Sequence, residues 1–310
     1  MNNIAKIAKD VPDFYPVWIG VHNGVFHADE LVGDCIIRLS HPKGTPFTTL
    51  RTRDPKLLEQ VDYRIDVGGK YDPLTKDYDH HQDKDLPAAA VLVWNSWWYS
   101  AIKSLHPEVE PTIEMRDYVL DNLLNAVSGL DTNYSSYIKE NPKGPYRDFS
   151  QLVMDFNPDS QDEEVQLKAY YDALDFTIMV MKNIIRKVIQ HEQILQTIRT
   201  AEDLGEFAMV LSKGIPYNEY RAELNRPIIV FPDMVSGWCV VSLNTSKFNF
   251  ANIDVTIWPE LVFAHKAGFF TKWQTKESAI EFAEAKSRWR SQEIDQWGIE
   301  HNDGQGVRQN

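Results

Sequence analysis

The sequence is poor in cysteine and has no long apolar run. Of its 310 residues only two are cysteine, Cys35 and Cys239, so it has neither a CxxC pair nor a disulfide framework. Such sparse cysteine use is typical of a reducing compartment, and we predict a cytoplasmic location. No apolar run approaches the ~20 residues of a membrane span, and the first residues lack a signal-peptide core, so we expect no membrane partner.

Positive charge is also in the minority. Lys and Arg total 32 against 45 Asp and Glu, which gives a formal net charge of -13. This balance argues against a broad basic surface that would coat duplex nucleic acid, but it permits a short or single-stranded ligand in a narrow cleft. The hydrophobic content of 43% is sufficient for packed cores in roughly two domains.

Short apolar runs alternate with helical patterns in the first 130 residues. The segments with strand character are 17–21, 47–50 and 63–67. The apolar residues of 31–39 share one helical face, and Asp54 followed by Pro55 predicts the start of another helix. This alternation predicts an α/β fold with a mainly parallel sheet, in which sites gather beyond the carboxyl ends of the strands.

The rest of the chain begins with helical patterns and then returns to strands. Residues 162–200 contain neither Pro nor Gly, which predicts one long helix with at most one break. We expect a catalytic domain over 1–160, a linker helix region over 161–204, a smaller α/β domain over 205–300 and a disordered tail over 301–310. The long helix also allows a homodimer, although packing within one chain explains its apolar face equally well.

Histidines and acids concentrate at the predicted strand ends. The stretch "VHNGVFHADE" (21–30) follows the first strand, "RIDVGG" (64–69) ends the third, and "KDYDHHQDKD" (76–85) comes next. An acid placed at a strand end is costly to bury unless a cation or hydrogen-bond donors compensate for it. The imidazole and carboxylate groups that project from these junctions belong to His22, His27, Asp29, Asp66, Asp79 and His80.

This set has enough ligands for two divalent ions. Two metals about 3.5 to 4 Å apart can hold a phosphoryl oxygen, generate hydroxide and stabilise the leaving oxygen, and Asp66 is the best candidate to bridge them. Ligands without thiolate favour manganese, iron, zinc or magnesium and do not choose among these. Each motif alone also has a structural interpretation, as an acidic helix start, a cap or a solvated loop. The coincidence of three placements indicates a metal site.

The motifs together resemble those of a known family. "VHNGVFHADE", "RTRDP", "DVGGKYDP" and "YDHHQ" resemble, in order and spacing, the motifs of the melanocyte proliferating gene family of DHH-like metal-dependent hydrolases. "FAHKAGFFTKWQTKESAIEFAE" resembles the closing motif of that family, so the resemblance runs from residue 17 to residue 290. It implies a DHH-phosphoesterase-like N-terminal domain that carries two metals and a smaller C-terminal domain that closes over the cleft. Known eukaryotic members act as RNA exonucleases, and distant relatives include RecJ-type nucleases and inorganic pyrophosphatases.

The resemblance also implies roles for individual residues. The implied metal ligands are His22 and His27 for the first ion, Asp29 and His80 for the second, Asp66 as the bridge, and Asp131 as the match for the remaining acid of the family. Three residues are implied to act in catalysis, namely His81, Asp79 and Glu30. His81 would face the scissile phosphate, and Glu30 would serve as a base or support a ligand. The residues implied to bind substrate are Arg51, Arg53, His265 and Lys266.

Two segments depart from the pattern of the family. "PAAAVLVW" lacks the Ser and Gly residues that family members commonly have before their next helix. In "SGLD", Ser128 replaces the first acid of an Asp-x-x-Asp pair. Neither departure removes an implied ligand.

We therefore predict a two-metal phosphodiesterase, an exonuclease that cleaves short or single-stranded RNA or DNA by metal-hydroxide attack on phosphorus. Manganese is the first candidate for both ions, with magnesium, zinc or iron as alternatives. Two other functions stay open. A pyrophosphatase or signalling-nucleotide hydrolase would need converging cations, for which Lys213, Arg221, Arg226 and Lys266 are candidates. A protein that binds metal or nucleotide without turnover would retain the same fold.

Overall fold

The structure is a computed structural model that describes residues 16–133, 148–251 and 253–300. The chain divides into two compact units, Met1–Gln190 and His191–Asn310, and the division falls inside one long helix. The described part of each unit contains one sheet. The domain boundaries expected near residues 160 and 204 stay predictions, and the tail 301–310 lies outside the described residues.

The first unit is built around a five-stranded sheet. Its strands are β1 (Val17–Val21), β2 (Phe47–Arg51), β3 (Tyr63–Ile65), β4 (Tyr71–Asp72) and β5 (Asp77–Tyr78). They lie in the order β2-β1-β3-β5-β4, in which β4 is antiparallel to β5 and the other neighbours are parallel. The predicted α/β class with a mainly parallel sheet is confirmed. The carboxyl ends of β1, β3 and β5 consequently meet at one edge of the sheet.

The third strand is shorter than the sequence pattern suggests. The apolar run predicts a strand over 63–67, but the strand stops at Ile65 because Asp66 has a φ of 56°. Gly68 and Gly69 follow with φ values of 104° and 66°, conformations that residues with a Cβ rarely adopt. The chain therefore turns sharply directly after β3.

Helices connect these strands and cover the sheet. They are α1 (Ala28–Ser40), α2 (Pro55–Leu58), α3 (Ala89–Leu105), α4 (Ile113–Val119), a π-helical segment (Leu120–Leu124), α5 (Asn125–Thr132), α6 (Phe149–Met154) and α7 (Glu163–Arg199). The predicted cap of α2 is confirmed, because the Asp54 carboxylate accepts a hydrogen bond of 2.9 Å from the Lys56 backbone amide. The long helix predicted over 162–200 forms as α7 without a break.

Close packing of α1 against the sheet depends on Gly33. A Cβ at this position would lie 2.5 Å from Cγ2 of Ile65, so a larger residue would push the helix away from β3. The core that these elements share includes Ile19, Leu31, Ile36, Ile65, Trp94 and Tyr170, each with essentially no solvent exposure. This packing fixes the first turn of α1, which carries Asp29 and Glu30.

The second unit contains a six-stranded mixed sheet. Its strands are β6 (Glu202–Asp203), β7 (Ala208–Val210), β8 (Ile228–Pro232), β9 (Trp238–Ser242), β10 (Leu261–Ala264) and β11 (Phe270–Trp273), followed by the helix α8 (Lys276–Glu300). They lie in the order β10-β11-β9-β8-β7-β6, and only β7 and β8 are parallel among these pairs. Phe282 of α8 packs with Trp273 and Val240 on one face, while Ile194 and Ile198 of α7 pack with Val241 on the other. The unit therefore has its own core.

The sequence contains no apolar run long enough to predict a helix that spans a membrane. Within the ranges that the structure describes, none of the helices combines the length and the apolarity that crossing a membrane requires.

Candidate metal centre

The predicted ligands follow three neighbouring strands of the first sheet. His22 comes directly after β1, Asp66 after β3, and His80 two residues after β5. Because these strands are parallel and adjacent, their ends place the three side chains at the same edge. Asp29 and Glu30 reach this edge from the first turn of α1.

The structure brings the predicted ligands together in two principal groups, one of which also includes Glu30, predicted as a base or supporting residue. The first group consists of His22, His27, Glu30 and Asp66, and the second of Asp29, His80 and Asp131. Within each group, candidate ligand atoms lie within 4.8 Å of one another, and a further group joins Asp66 to His80 and His81. We call the two principal groups the first and the second cluster. Asp66 is the carboxylate that contacts both.

Distances within the clusters are those of close ionic contacts. His22 Nε2 lies 3.0 Å from Glu30 Oε1 and 3.4 Å from Asp66 Oδ2. His80 Nε2 lies 3.3 Å from Asp66 Oδ1 and 3.2 Å from Asp131 Oδ2. The two oxygens of Asp66 therefore face different histidines, one in each cluster.

The tautomer of His22 suits a metal ligand. Its Nδ1 lies 3.1 Å from the backbone oxygen of Asn23, which can only accept a hydrogen bond, so Nδ1 carries the proton. The lone pair of the neutral ring is then on Nε2, the atom that faces Glu30 and Asp66. An imidazole oriented through its other nitrogen is the usual arrangement at metal sites.

Backbone amides at the start of α3 fix the carboxylate of Asp29. Its two oxygens accept hydrogen bonds of 2.8 Å from the Ala89 amide and 2.7 Å from the Ala90 amide. Burial, together with the charges of Asp66 and Asp131, nevertheless raises the pKa of Asp29 well above its usual value. A nearby divalent cation would favour the ionised form.

Asp79 positions His81. Oδ1 of Asp79 lies 2.7 Å from His81 Nδ1 and also accepts a hydrogen bond from the His81 backbone amide, while Oδ2 accepts one from the Gly69 amide. Because a carboxylate oxygen only accepts hydrogen bonds, Nδ1 of His81 carries a proton and donates a hydrogen bond to Asp79. The His81 side chain is 63% exposed, so its Nε2 is open to an incoming group.

The carboxylates raise the pKa of both inner histidines. Burial alone would lower the pKa of His22, but hydrogen bonds with Asp66 and Glu30 raise it to about 10. Contacts with Asp131 and Asp66 raise the pKa of His80 to about 10 as well. Burial acts to raise the pKa of Asp66, but His22 and His80 outweigh it and hold that pKa well below its usual range. When no metal cation is bound, protons on His22 and His80 therefore offset the negative charge of the neighbouring carboxylates.

Among the described residues, three buried polar atoms of the clusters make no well-aligned hydrogen bond, although two of them, Asp66 Oδ1 and His80 Nε2, lie 3.3 Å apart. The three atoms are Glu30 Oε2, Asp66 Oδ1 and His80 Nε2. Burying such atoms without a partner is costly, and a cation bound between them would remove that cost. Carboxylate oxygens and imidazole nitrogens without thiolate match the ligand preferences of Mn²⁺, Mg²⁺, Zn²⁺ and Fe²⁺. The donor set of the two clusters therefore fits divalent cations.

The predicted substrate-binding arginines contact the loop that carries His22 and His27. Arg51 donates to the backbone oxygen of Gly24 and lies over the rings of Phe26 and Tyr170, at 5.3 and 5.2 Å from their centroids. Arg53 donates to the Asn23 backbone oxygen at 2.6 Å. In this structure both side chains support the loop.

His265 and Lys266 lie in the second unit, in the turn between β10 and β11. His265 Nδ1 accepts a hydrogen bond of 3.1 Å from the Ala267 amide, and its ring centroid lies 4.4 Å from that of Phe269. Lys266 is exposed. Their predicted substrate contacts stay predictions.

Sequence reasoning missed two residues that support the clusters. Asn157 mimics a backbone partner: its Oδ1 accepts from the Phe26 amide at 2.9 Å, and its Nδ2 donates to the Phe26 carbonyl at 2.8 Å. Ser128, noted above as a departure from the family, accepts a hydrogen bond of 3.0 Å from the Ala88 amide directly before α3. No local sequence signal identifies Asn157, since it lies 131 residues from its partner.

Comparison with known proteins places this chain in a family. The profile of MYG1_exonuc, described as "Uncharacterised protein family (UPF0160)", matches residues 18–252, which is more than half of the chain. The chain belongs to this family. The matched range contains the described residues of both clusters, and the predicted melanocyte proliferating gene family is confirmed.

Named relatives in the MYG1 family are similar over most of their length. MYG1 exonuclease of Homo sapiens is 24% identical over 329 residues, covering 89% of this chain and 87% of the human protein. MYG1 exonuclease of Mus musculus is 24% identical over 323 residues, with 87% and 84% covered. The MYG1 protein of Chlamydia pneumoniae is 29% identical over 290 residues, with 85% and 94% covered.

Among solved structures, RecJ from Thermus thermophilus in complex with Mn²⁺ matches with a TM-score of 0.26 and 15% identity. The match covers 89% of this chain and 52% of RecJ, so this chain spans about half the length of RecJ.

Proposed function

We propose that this chain is a metal-dependent hydrolase, a two-metal phosphodiesterase that removes nucleotides from short or single-stranded RNA or DNA. The observation that carries the proposal is the position of Asp66, whose two oxygens face His22 in the first cluster and His80 in the second. Support also comes from the mouse and human relatives, which are named MYG1 exonuclease. A DHH-phosphoesterase-like catalytic domain is part of the same proposal.

Each cluster would hold one divalent ion. The first ion would be bound by His22 and His27, the second by Asp29, His80 and Asp131, with Asp66 as the shared ligand. Two such ions would lower the pKa of a bound water molecule, and their positive charge would neutralise phosphoryl oxygens. Manganese is the first candidate, and magnesium, zinc and iron are the alternatives.

The chain's own residues orient the reacting groups. Glu30 holds the first cluster together, because Oε1 contacts His22 Nε2 and accepts a hydrogen bond of 3.0 Å from the His27 amide. Glu30 Oε2 has no partner among the described residues and can accept a proton or contribute a ligand atom. His81, held by Asp79 at Nδ1, presents Nε2 to the scissile phosphate, and the ring donates a proton there when Nε2 is also protonated.

The remaining predictions concern substrate, assembly and location. Arg51, Arg53, His265 and Lys266 are proposed to contact backbone phosphates, as guanidinium and ammonium groups commonly do. We retain the cytoplasmic location and the homodimer as parts of the proposal.

Two of the four cations that a pyrophosphatase would use, Arg221 and Arg226, make contacts within the second unit. Arg221 donates to the Leu243 backbone oxygen at 3.2 Å, and Arg226 donates to the Gly205 oxygen at 2.7 Å and to Asp203 at 3.1 Å. The intact clusters argue against a protein that only binds ligand.

The test is a metal-dependent screen over labelled RNA and DNA oligomers, dinucleotides and pyrophosphate, with product lengths resolved. The manganese-loaded chain should release mononucleotides from the short oligomers, and Asp66→Ala should abolish this release. Failure on RNA, DNA and dinucleotides alike would contradict the proposal. Phosphate release from pyrophosphate alone would identify the pyrophosphatase alternative. Tightly bound metal without any turnover would identify a binding protein.

A further inference from the structure

A cavity of about 300 Å³ adjoins the second cluster. Three of the proposed ligands, His27, Asp29 and Asp131, form part of its lining, and residues of α5 and α6 form much of the rest. Cavities of a few hundred Å³ with mainly apolar walls are typical of small-molecule sites. The contents of this cavity would therefore lie against the reacting centre.

Most of the surface of the cavity is apolar, although His27, Ser150, Gln151 and three aspartates also line it. Val127 and Leu130 of α5 and Met154 of α6 contribute aliphatic and thioether surfaces. Such surfaces can hold the faces of a planar ring, as apolar side chains do for bases held in enzyme pockets. Asp148 and Ser150 add oxygen atoms that can hydrogen-bond to the polar edge of a ring.

The charge of the lining argues against a second phosphate group. No Lys or Arg is among the described residues that line the cavity, and Asp148 adds a carboxylate beyond those proposed to bind metal. A phosphate group is normally met by guanidinium, ammonium or backbone amide donors. If pyrophosphate bound with one phosphate group at the clusters and the other in this cavity, no Lys or Arg of the lining would contact the second group.

We propose that this cavity receives the nucleobase of a nucleotide next to the scissile phosphate. This inference rests on the proposed function and deepens it, since it assigns the substrate class to nucleotides that carry a base and excludes inorganic pyrophosphate. The ring inserts between Leu130 and Met154, while its phosphate lies at the clusters.

Substrate variants test the proposal first. The wild-type chain, loaded with Mn²⁺, is given a dinucleotide and two analogues, each with one of the two bases removed. Removing the base that occupies the cavity should lower kcat/KM roughly tenfold or more, the usual effect of a lost apolar group in a binding pocket. Equal rates for all three substrates would overturn the proposal.

A binding experiment tests it without turnover. The ligand is a dinucleotide with a non-hydrolysable methylenephosphonate linkage, titrated by calorimetry in the presence of Mn²⁺. Met154→Trp narrows the cavity and should weaken binding roughly tenfold. Leu152→Trp is the matched control, because Leu152 lies on the same helix, is 40% exposed against 41% for Met154, and does not line the cavity. Its affinity should stay within about twofold of the wild type.

The outcomes separate this inference from the proposed function. Cleavage that does not depend on either base, or equal affinities of the two tryptophan variants, would overturn the cavity assignment and leave the nuclease intact. Binding that depends on the base without any cleavage would support the cavity and contradict the nuclease. Circular dichroism checks that Met154→Trp folds, and Met154→Ala, which removes one wall, should also weaken binding several-fold.

Discussion

Asp66 has a backbone conformation that few residues other than glycine accept. Its φ of 56° is shared, among the described non-glycine residues, by Lys76 alone with a φ of 60°. Asp and Asn tolerate this left-handed region better than most residues with a Cβ. The strain here has a physical counterpart, because the turn directs the carboxylate toward His22 and His80.

Replacements of Asp66 should separate backbone strain from metal binding. Asparagine adopts the left-handed conformation with little strain, whereas alanine does not. We therefore expect the free energy of unfolding of Asp66→Ala to be about 1 kcal/mol lower than that of Asp66→Asn. Both should lose the shared ligand and bind manganese roughly 100-fold or more weakly, since altering even a supporting group typically costs 10- to 100-fold. Urea denaturation with EDTA and metal titration give the two quantities.

Lys76 provides the control for these replacements. Lys76→Ala should be less stable than Lys76→Asn, as expected for the Asp66 variants. Neither substitution at Lys76 should change the affinity for manganese. Retention of wild-type affinity by Asp66→Asn would contradict the bridging role.

At the scale of elements, the loop after β1 is positioned by distant parts of the chain. Residues 22–27 contain two proposed ligands, and Arg51, Arg53 and Asn157 all hydrogen-bond to the backbone of this loop. The loop is short, but its conformation depends on β2 and on the segment after α6. Ligand geometry in the first cluster is thus coupled to packing elsewhere in the first unit.

Asn157→Ala should weaken both the fold and the first cluster. The change leaves the amide and the carbonyl of the buried Phe26 without their present partner, and each unsatisfied group costs about 1–3 kcal/mol. We expect a loss of roughly 2 kcal/mol in the free energy of unfolding and a several-fold loss of manganese affinity, measured by urea denaturation and metal titration.

The control is Asn183→Ala, at an exposed asparagine of α7. In the contacts described, Asn183 hydrogen-bonds only to Met179 and Arg186 of the same helix. This variant should change stability by less than about 0.5 kcal/mol. Equal effects of the two substitutions would contradict the positioning role of Asn157.

At the scale of the whole molecule, a chain with a net charge of -13 buries several acids close together. Protonated His22 and His80 partly offset these acids, and their pKa values near 10 stabilise the fold at low pH. That contribution is complete below the ordinary histidine pKa and is lost as pH rises through about 10. Metal ions compete with these protons, because only the neutral imidazole binds a metal.

Manganese should therefore raise Tm, and by more at higher pH. At 100 times Kd, one ion adds about 2.7 kcal/mol of stability. We expect the rise in Tm to grow from pH 6 to pH 8.5, with two ions per chain by elemental analysis, and EDTA should reverse it. Asp66→Asn in the same series should show a much smaller rise. A rise in Tm that shrinks with increasing pH would contradict ligation by the histidines.

How much of the molecule follows from sequence differs between its parts. Alternating apolar runs and helical patterns predicted β1, β2 and β3, and thereby placed His22 and Asp66 at one edge of a sheet, whereas β5, which precedes His80, was not predicted. Asp131 was suggested only by the family resemblance. The end of β3 was predicted two residues too late, because composition does not reveal the left-handed turn at Asp66.

The sequence by itself determined the α/β class, the family and the types of residue gathered at the strand ends, because periodicity and motifs are local properties of the chain. Only the tertiary structure decided which partners fix those residues. Asp29 is held by amides about 60 residues away, and the loop of His22 by Asn157, 131 residues from Phe26. Hydrogen bonds at such separations depend on how helices and strands pack, and no short pattern records that packing.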